Sequence, residues 1–208
     1  MKIVLGVLSL LALCTILSAA PIDCLTLVGT NTANLSMGCA LGGLFFDQFS
    51  TNSTPLGANI FLSALGTGVA GDGVNLGFQI TTPSPPVDIS FQYRASTLSG
   101  DPVIDGVDNF HNGTDATRIG EVVCDQAFVG GICAGGHVLA NFANPPISSG
   151  MFSAQSQIFI LKDISLPTAN SFLSNFVNSH ETPEPSTALL LGVGLCGISI
   201  LARRHRSR

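Results

Sequence analysis

Two stretches flanking a proline-rich turn constrain this chain most. Val74-Asn75-Leu76-Gly77-Phe78-Gln79-Ile80-Thr81 and Ile89-Ser90-Phe91-Gln92-Tyr93-Arg94 both alternate apolar and polar residues. Period-two alternation belongs to a half-buried strand, and it puts Ile89, Phe91 and Tyr93 on one face. Between the stretches, Thr82-Pro83-Ser84-Pro85-Pro86 can neither continue a helix nor join a ladder. The expectation is a hairpin, or two neighbouring edge strands. Further short candidates follow at residues 59–64, 103–107, 117–128, 137–142 and 156–164, separated by Gly, Pro and Asn. In the last of these, Ile158, Ile160 and Ile164 form an apolar strand carrying one charged pair, Lys162-Asp163. Residues 168–178 fit either one helical turn or a final strand. No segment of 10–15 residues repeats an apolar i, i+3, i+4 pattern, which argues against parallel α/β. Seven or so strands with turn signals between them predict an all-β fold, a single β-sandwich-like domain over residues 21–178.

Charge is sparse and lopsided. The whole chain is formally −5, but residues 21–181 hold twelve acidic groups against three bases, Arg94, Arg118 and Lys162, a net −9. Such a body is repelled by nucleic acid and by anionic lipid, so no nucleic-acid partner is expected. Trp is absent and Tyr occurs once, so Phe supplies most of the aromatic core.

Cys24, Cys39, Cys124 and Cys133 lie in the predicted domain, while Cys14 and Cys196 fall in the apolar ends. Four cysteines allow three disulfide connectivities. Spacing favours Cys24–Cys39 and Cys124–Cys133, each closing a glycine-containing loop. The competing reading is zinc, opposed by the lack of any CxxC pair and of histidines at finger-like spacing.

Catalytic patterns are not found. The chain has no GxSxG elbow, no HExxH and no Walker loop. His111 is read as lying in an Asn/Gly-rich turn, His137 at a strand start and His180 in a stalk. Cys133 with His137 suggests a dyad only if that sulfur is free. Asp101, Asp105 and Asp108, with Asn109, form the densest acidic cluster, in GDPVIDGVDN. On a loop they would be weak calcium candidates, and turn initiation by Asp and Asn is the favoured explanation of them. No cofactor is implied.

The two ends of the chain speak of routing. Lys2, an apolar core over residues 3–17 and the small residues Ser18-Ala19-Ala20 make a signal peptide over 1–20, to be handled by the Sec machinery and signal peptidase. At the other end a Pro-containing stalk over 179–186 precedes an uncharged run over 187–202 and a basic tail over 203–208. The run is slightly shorter than the roughly 17–25 residues of a comfortable crossing. Arg203, Arg204, Arg206 and Arg208 can snorkel and hold the tail in the cytoplasm, giving a C-terminal transmembrane helix in the inner membrane.

This end resembles the PEP-CTERM sorting signal of Gram-negative bacteria. The match is Pro183-Glu184-Pro185-Ser186-Thr187, then Ala188-Leu189-Leu190-Leu191-Gly192 and its continuation, then Arg203-Arg204. The resemblance covers about the last 27 residues and implies recognition by an exosortase, a membrane-embedded cysteine protease-transpeptidase. It also implies delivery to the cell surface, often beside exopolysaccharide. Residues 25–57, with Cys39-Ala40-Leu41-Gly42, Phe45-Phe46 and Phe49, are similar to a recurrent N-terminal segment of exported PEP-CTERM proteins, which implies a β-rich secreted domain and no activity. The expected function is that of an exosortase-processed surface or matrix protein, structural and non-enzymatic. The alternatives are a carbohydrate-binding or glycan-processing module and a calcium-assisted adhesin.

Overall fold

The computed structural model describes residues 20–63, 73–98, 104–114, 116–143 and 147–181. The sorting motif, the apolar run, the basic tail, Asp101 and the signal peptide apart from Ala20 lie outside the described residues. Among the described residues no helix is long and apolar enough to cross a membrane.

Thirteen strands run among the described residues. They are β1 (Cys39–Leu41), β2 (Leu44–Thr54), β3 (Asn59–Ser63), β4 (Val74–Thr81), β5 (Val87–Thr97), β6 (Ile104–Gly113) and β7 (Arg118–Cys124), then β8 (Phe128–Val129), β9 (Ile132–Cys133), β10 (Val138–Ala143), β11 (Ile147–Gln155), β12 (Gln157–Leu166) and β13 (Leu173–Glu181). One sheet has the order β1-β2-β5-β12-β7-β10, and the second β11-β6-β13-β4-β3. Every pairing between these strands is antiparallel. The short β8–β9 ribbon stands apart. The fold is an all-β, sandwich-like pair of sheets.

Alternation makes these strands, because every second side chain faces the opposite sheet. In β5, Val87, Ile89, Phe91, Tyr93 and Ala95 are buried, and in β12 so are Ile158, Ile160, Ile164 and Leu166. One apolar cluster joins these residues to Phe46, Ile60, Leu62, Leu76, Phe78 and Phe176. Phe78 meets Phe91 edge-on at 4.9 Å between ring centroids and stacks on Phe176 at 5.0 Å. Offset and edge-on contacts of this kind add about 0.5–1.5 kcal/mol per pair beyond burial.

The expected hairpin of residues 74–81 and 89–94 does not form. β4 pairs with β3 and β13, β5 pairs with β2 and β12, and the intervening turn carries the chain from one sheet to the other. Alternation dictates which face of each strand is apolar, and two apolar faces are satisfied equally well by meeting across the core. The first residues of the expected stalk, 179–181, belong instead to β13. Ser179 and His180 are buried in β13, because His180 continues the inward phase of Phe176 and Asn178.

The N-terminal segment closes one open side. The Ala40 amide donates to the Ile22 carbonyl at 2.8 Å in the first sheet. Further on, the Gly29 amide donates to the Leu62 carbonyl at 2.8 Å, and the Leu62 amide to the Thr30 carbonyl at 3.0 Å, in the second sheet. Both sheet edges on this side are thereby covered, which removes a template for pairing with other chains. Cys24–Cys39 pins this strap to β1. On the other side β10 and β11 approach so closely that a Cβ at Gly150 would stand 2.8 Å from the Phe142 ring.

The second disulfide, Cys124–Cys133, ties the β8–β9 ribbon to the end of β7 across nine residues of sequence. Both pairings are those favoured by spacing, and with all four cysteines of the domain bonded to one another the zinc alternative falls. Replacing Cys124 and Cys133 by Ser should lower stability by about 2.5 kcal/mol on the loop-closure argument. Equilibrium unfolding in urea measures this, and an unchanged midpoint would contradict it.

Candidate functional site

The sandwich interior contains a polar centre. On β12 the phase that buries Ile158, Ile160 and Ile164 also buries Lys162, and on β7 the phase of Ile119 and Val123 buries Glu121. Both charged side chains are 0 % exposed. They are direct cross-strand partners, and the Lys162 ammonium donates to Glu121 Oε2 in a short ion pair. The opposite sheet supplies Asn109 from β6 and Asn178 from β13, themselves direct partners and both buried.

The contacts cross the core. Lys162 Nζ donates to Asn109 Oδ1 at 2.6 Å, and Asn178 Nδ2 donates to Glu121 Oε1 at 2.8 Å. Nζ also stands 5.2 Å from the centroid of the Phe176 ring, within reach of a cation–π attraction. Asn109 Nδ2 and Asn178 Oδ1 have no hydrogen-bond partner among the described residues. Burial pushes the Lys162 amine below its usual pKa, while Glu121 pulls it partly back.

A second polar pair adjoins the first. His180 is fully buried, with Nδ1 3.1 Å from the Val74 carbonyl and Nε2 3.2 Å from the Tyr93 hydroxyl. A carbonyl only accepts, so Nδ1 carries the proton and the Tyr93 hydroxyl donates to Nε2. Burial, with the nearby Lys162 charge adding to it, lowers the His180 pKa to about 4. Burial and Glu121 together raise the Tyr93 pKa. His111 is also buried on β6, and its pKa is lowered by burial and then by Lys162.

Several expected placements change. His111 and His180 occupy core strands, while His137 is exposed, 3.3 Å from Asp125. Cys133 is disulfide-bonded, so no Cys133–His137 dyad exists. Asp105 and Asp108 belong to β6, not to a loop, because Ile104 and Val107 draw that segment into the core. Burial raises the Asp108 pKa, which a hydrogen bond with the Glu181 side chain partly offsets. The described residues contain no cluster of three or more His, Cys, Asp or Glu able to hold a metal ion. Tyr93 lies in the core, and among the large hydrophobic side chains exposed in the described residues Phe172 is the one aromatic, at 58 %.

The sequence carries a signal for the polar centre. Lys162 and Glu121 each fall in phase with the apolar residues of their own strands, which is where a charge must find a partner or remain unpaired at high cost. No protein-family model matches the chain, and no curated protein does either.

Proposed function

We propose that this protein is an exported, non-enzymatic structural component of the cell surface or extracellular matrix, released from the inner membrane by an exosortase acting near Pro183-Glu184-Pro185. The observation that carries the reading is the pair of disulfides, Cys24–Cys39 and Cys124–Cys133, which persist in oxidising compartments and are rare in reducing ones. Support also comes from the signal-peptide pattern and from the order of motif, apolar run and arginines at the C-terminus. The acidic body suits a place among neutral polysaccharide and counter-ions. The glycan-binding alternative draws little support, since sugar platforms expose several aromatics and the lone Tyr is buried.

The test is to produce the full chain in an exosortase-bearing bacterium and in the same strain lacking that protease. The expected result is a shortened polypeptide outside the cell in the first, and an uncut, membrane-associated one in the second. Equal mass and equal location in the two strains would overturn the proposal.

A further inference from the structure

Three groups that react with one another when dried and held in contact meet at the centre of the sandwich: an amine, a carboxamide and a carboxyl. Lys162 Nζ lies 2.6 Å from Asn109 Oδ1, which places the amide carbon Cγ as the next atom along. The Glu121 carboxyl touches Nζ through Oε2, and its other oxygen is held by Asn178 Nδ2 at 2.8 Å. Lys162, Glu121 and Asn178 are 0 % exposed and Asn109 is 1 % exposed. We propose that Lys162 and Asn109 are joined by an intramolecular isopeptide bond, formed after folding, with Glu121 as the catalytic proton carrier.

The step balances without any outside reactant. Lys162 passes one proton to the Glu121 carboxylate, leaving a neutral amine beside a carboxylic acid. Removal of two charges from a dry interior favours that transfer, and the burial that lowers the Lys162 pKa acts in the same direction. The Nζ lone pair attacks Asn109 Cγ, while Glu121 donates its proton to Oδ1 and takes one from Nζ. Collapse of the tetrahedral intermediate breaks the Cγ–Nδ2 bond as Glu121 supplies the proton that lets nitrogen leave as ammonia and takes back the proton on Oδ1, which restores the carbonyl. The products are one Lys162–Asn109 amide and one ammonia, and the carboxyl group is regenerated.

Three further features favour this chemistry. Asn109 Nδ2 has no hydrogen-bond partner among the described residues, so no such bond must break before the amide turns its carbon toward Nζ. Its χ2 torsion is a soft one. Packing around Ile119, Val123, Ile160, Ile164 and Phe176 excludes water, which would otherwise solvate the amine and compete for the intermediate. Folding itself brings together residues 53 apart in sequence and converts a bimolecular acyl transfer into an intramolecular one.

The bond would do what the disulfides do not. Cys39 and Cys124 both belong to the first sheet, Cys24 to the N-terminal strap and Cys133 to the short ribbon, so neither disulfide spans the sandwich. Lys162 and Asn109 lie on opposite sheets, and their amide would staple β12 to β6 through the core. This requires only the folded chain and does not depend on how the protein is delivered.

Residues 21–181 contain only Arg94, Arg118 and Lys162 as trypsin sites, which makes the test sharp. The purified folded protein is unfolded, reduced, alkylated and digested, and its peptides are weighed. The expected result is loss of the free 95–118 peptide. In its place comes a branched species in which 95–118 is attached to a peptide beginning at Ile119 and uncut at Lys162, lighter than its parts by the mass of one ammonia. Glu121→Gln and Asn109→Ala should each restore the free 95–118 peptide and cleavage at Lys162. If either variant fails to fold, the digest of the unaltered protein decides alone. A free 95–118 peptide with full cleavage at Lys162 in the folded protein overturns the proposal, as does a branch ending on Asn178.

Discussion

Replacing Glu121 by Gln should cost the fold at least about 3–5 kcal/mol, the cost found when one member of a buried ion pair is removed, and loss of the Lys162–Asn109 link adds to it. The substitution changes almost no volume, so packing of the Ile119 and Val123 face is preserved. It does remove the only acidic group in contact with Lys162 among the described residues. Gln can still accept from Asn178 Nδ2, but its own amide then points a donor at the Lys162 ammonium. Asn109 Oδ1 remains as acceptor, and one carbonyl does not replace a carboxylate in a dry interior. Taking both charges away with Lys162→Met and Glu121→Leu should give a protein more stable than the single variant, because neither charge is then left uncompensated. Urea unfolding followed by the emission of Tyr93, the only Tyr in a chain without Trp, measures all three proteins. A loss below about 1 kcal/mol in the single variant would show that Lys162 is not held by Glu121.

How much of this was legible depends on what each residue pattern encodes. Strict alternation exposed β4 and β5 directly, since Leu76, Phe78, Ile89, Phe91 and Tyr93 leave no other face to bury. Their partners stayed hidden, because period two says nothing about whether Phe78 and Phe91 sit side by side or face to face. β2 was invisible for a different reason. Its partner register slips between Asp47 and Ser50, and Gln48 adopts a φ of 56°. That bulge inserts one residue and reverses the phase, so Phe46 and Phe49 can both contribute to the aromatic core although three positions apart. β11 is rich in Ser and Gly, and such a sequence reads as loop. Its pairing with β6 decides the matter instead. Disulfide partners were readable because short, glycine-containing loops close cheaply. At the polar centre, half the information lay in phase, with Lys162 and Glu121 at inward positions. Asn109 and Asn178 come from strands whose polar residues gave no phase at all, and only the pairing of β6 with β13 sets them opposite each other.

Acid should destabilise this protein in a window set by one side chain. His180 has a folded-state pKa of about 4, whereas the unfolded chain offers the ordinary 6.5. The unfolded state therefore takes up the proton first, and mass action draws the equilibrium toward it as pH falls from about 6.5 to about 4. A gap of that width corresponds to about 3 kcal/mol, fully lost once the pH has passed below the folded value. The cause is geometric: protonation would put a charge in a fully buried site and place a donor against the Tyr93 hydroxyl, whose O–H now donates to Nε2. His111 contributes in the same direction, and Asp108, with its pKa raised, in the opposite one. Replacing His180 by Gln removes the titration while leaving an amide that can donate to the Val74 carbonyl and accept from Tyr93. His111 and Asp108 are common to both proteins, so comparing their unfolding free energies at pH 7 and pH 4 isolates His180. The unaltered protein should lose about 3 kcal/mol more than the variant over that interval. Parallel pH profiles would mean that the imidazole takes up its proton as readily in the fold as in the unfolded chain, and the donor assignment at Val74 and Tyr93 would then have to be abandoned.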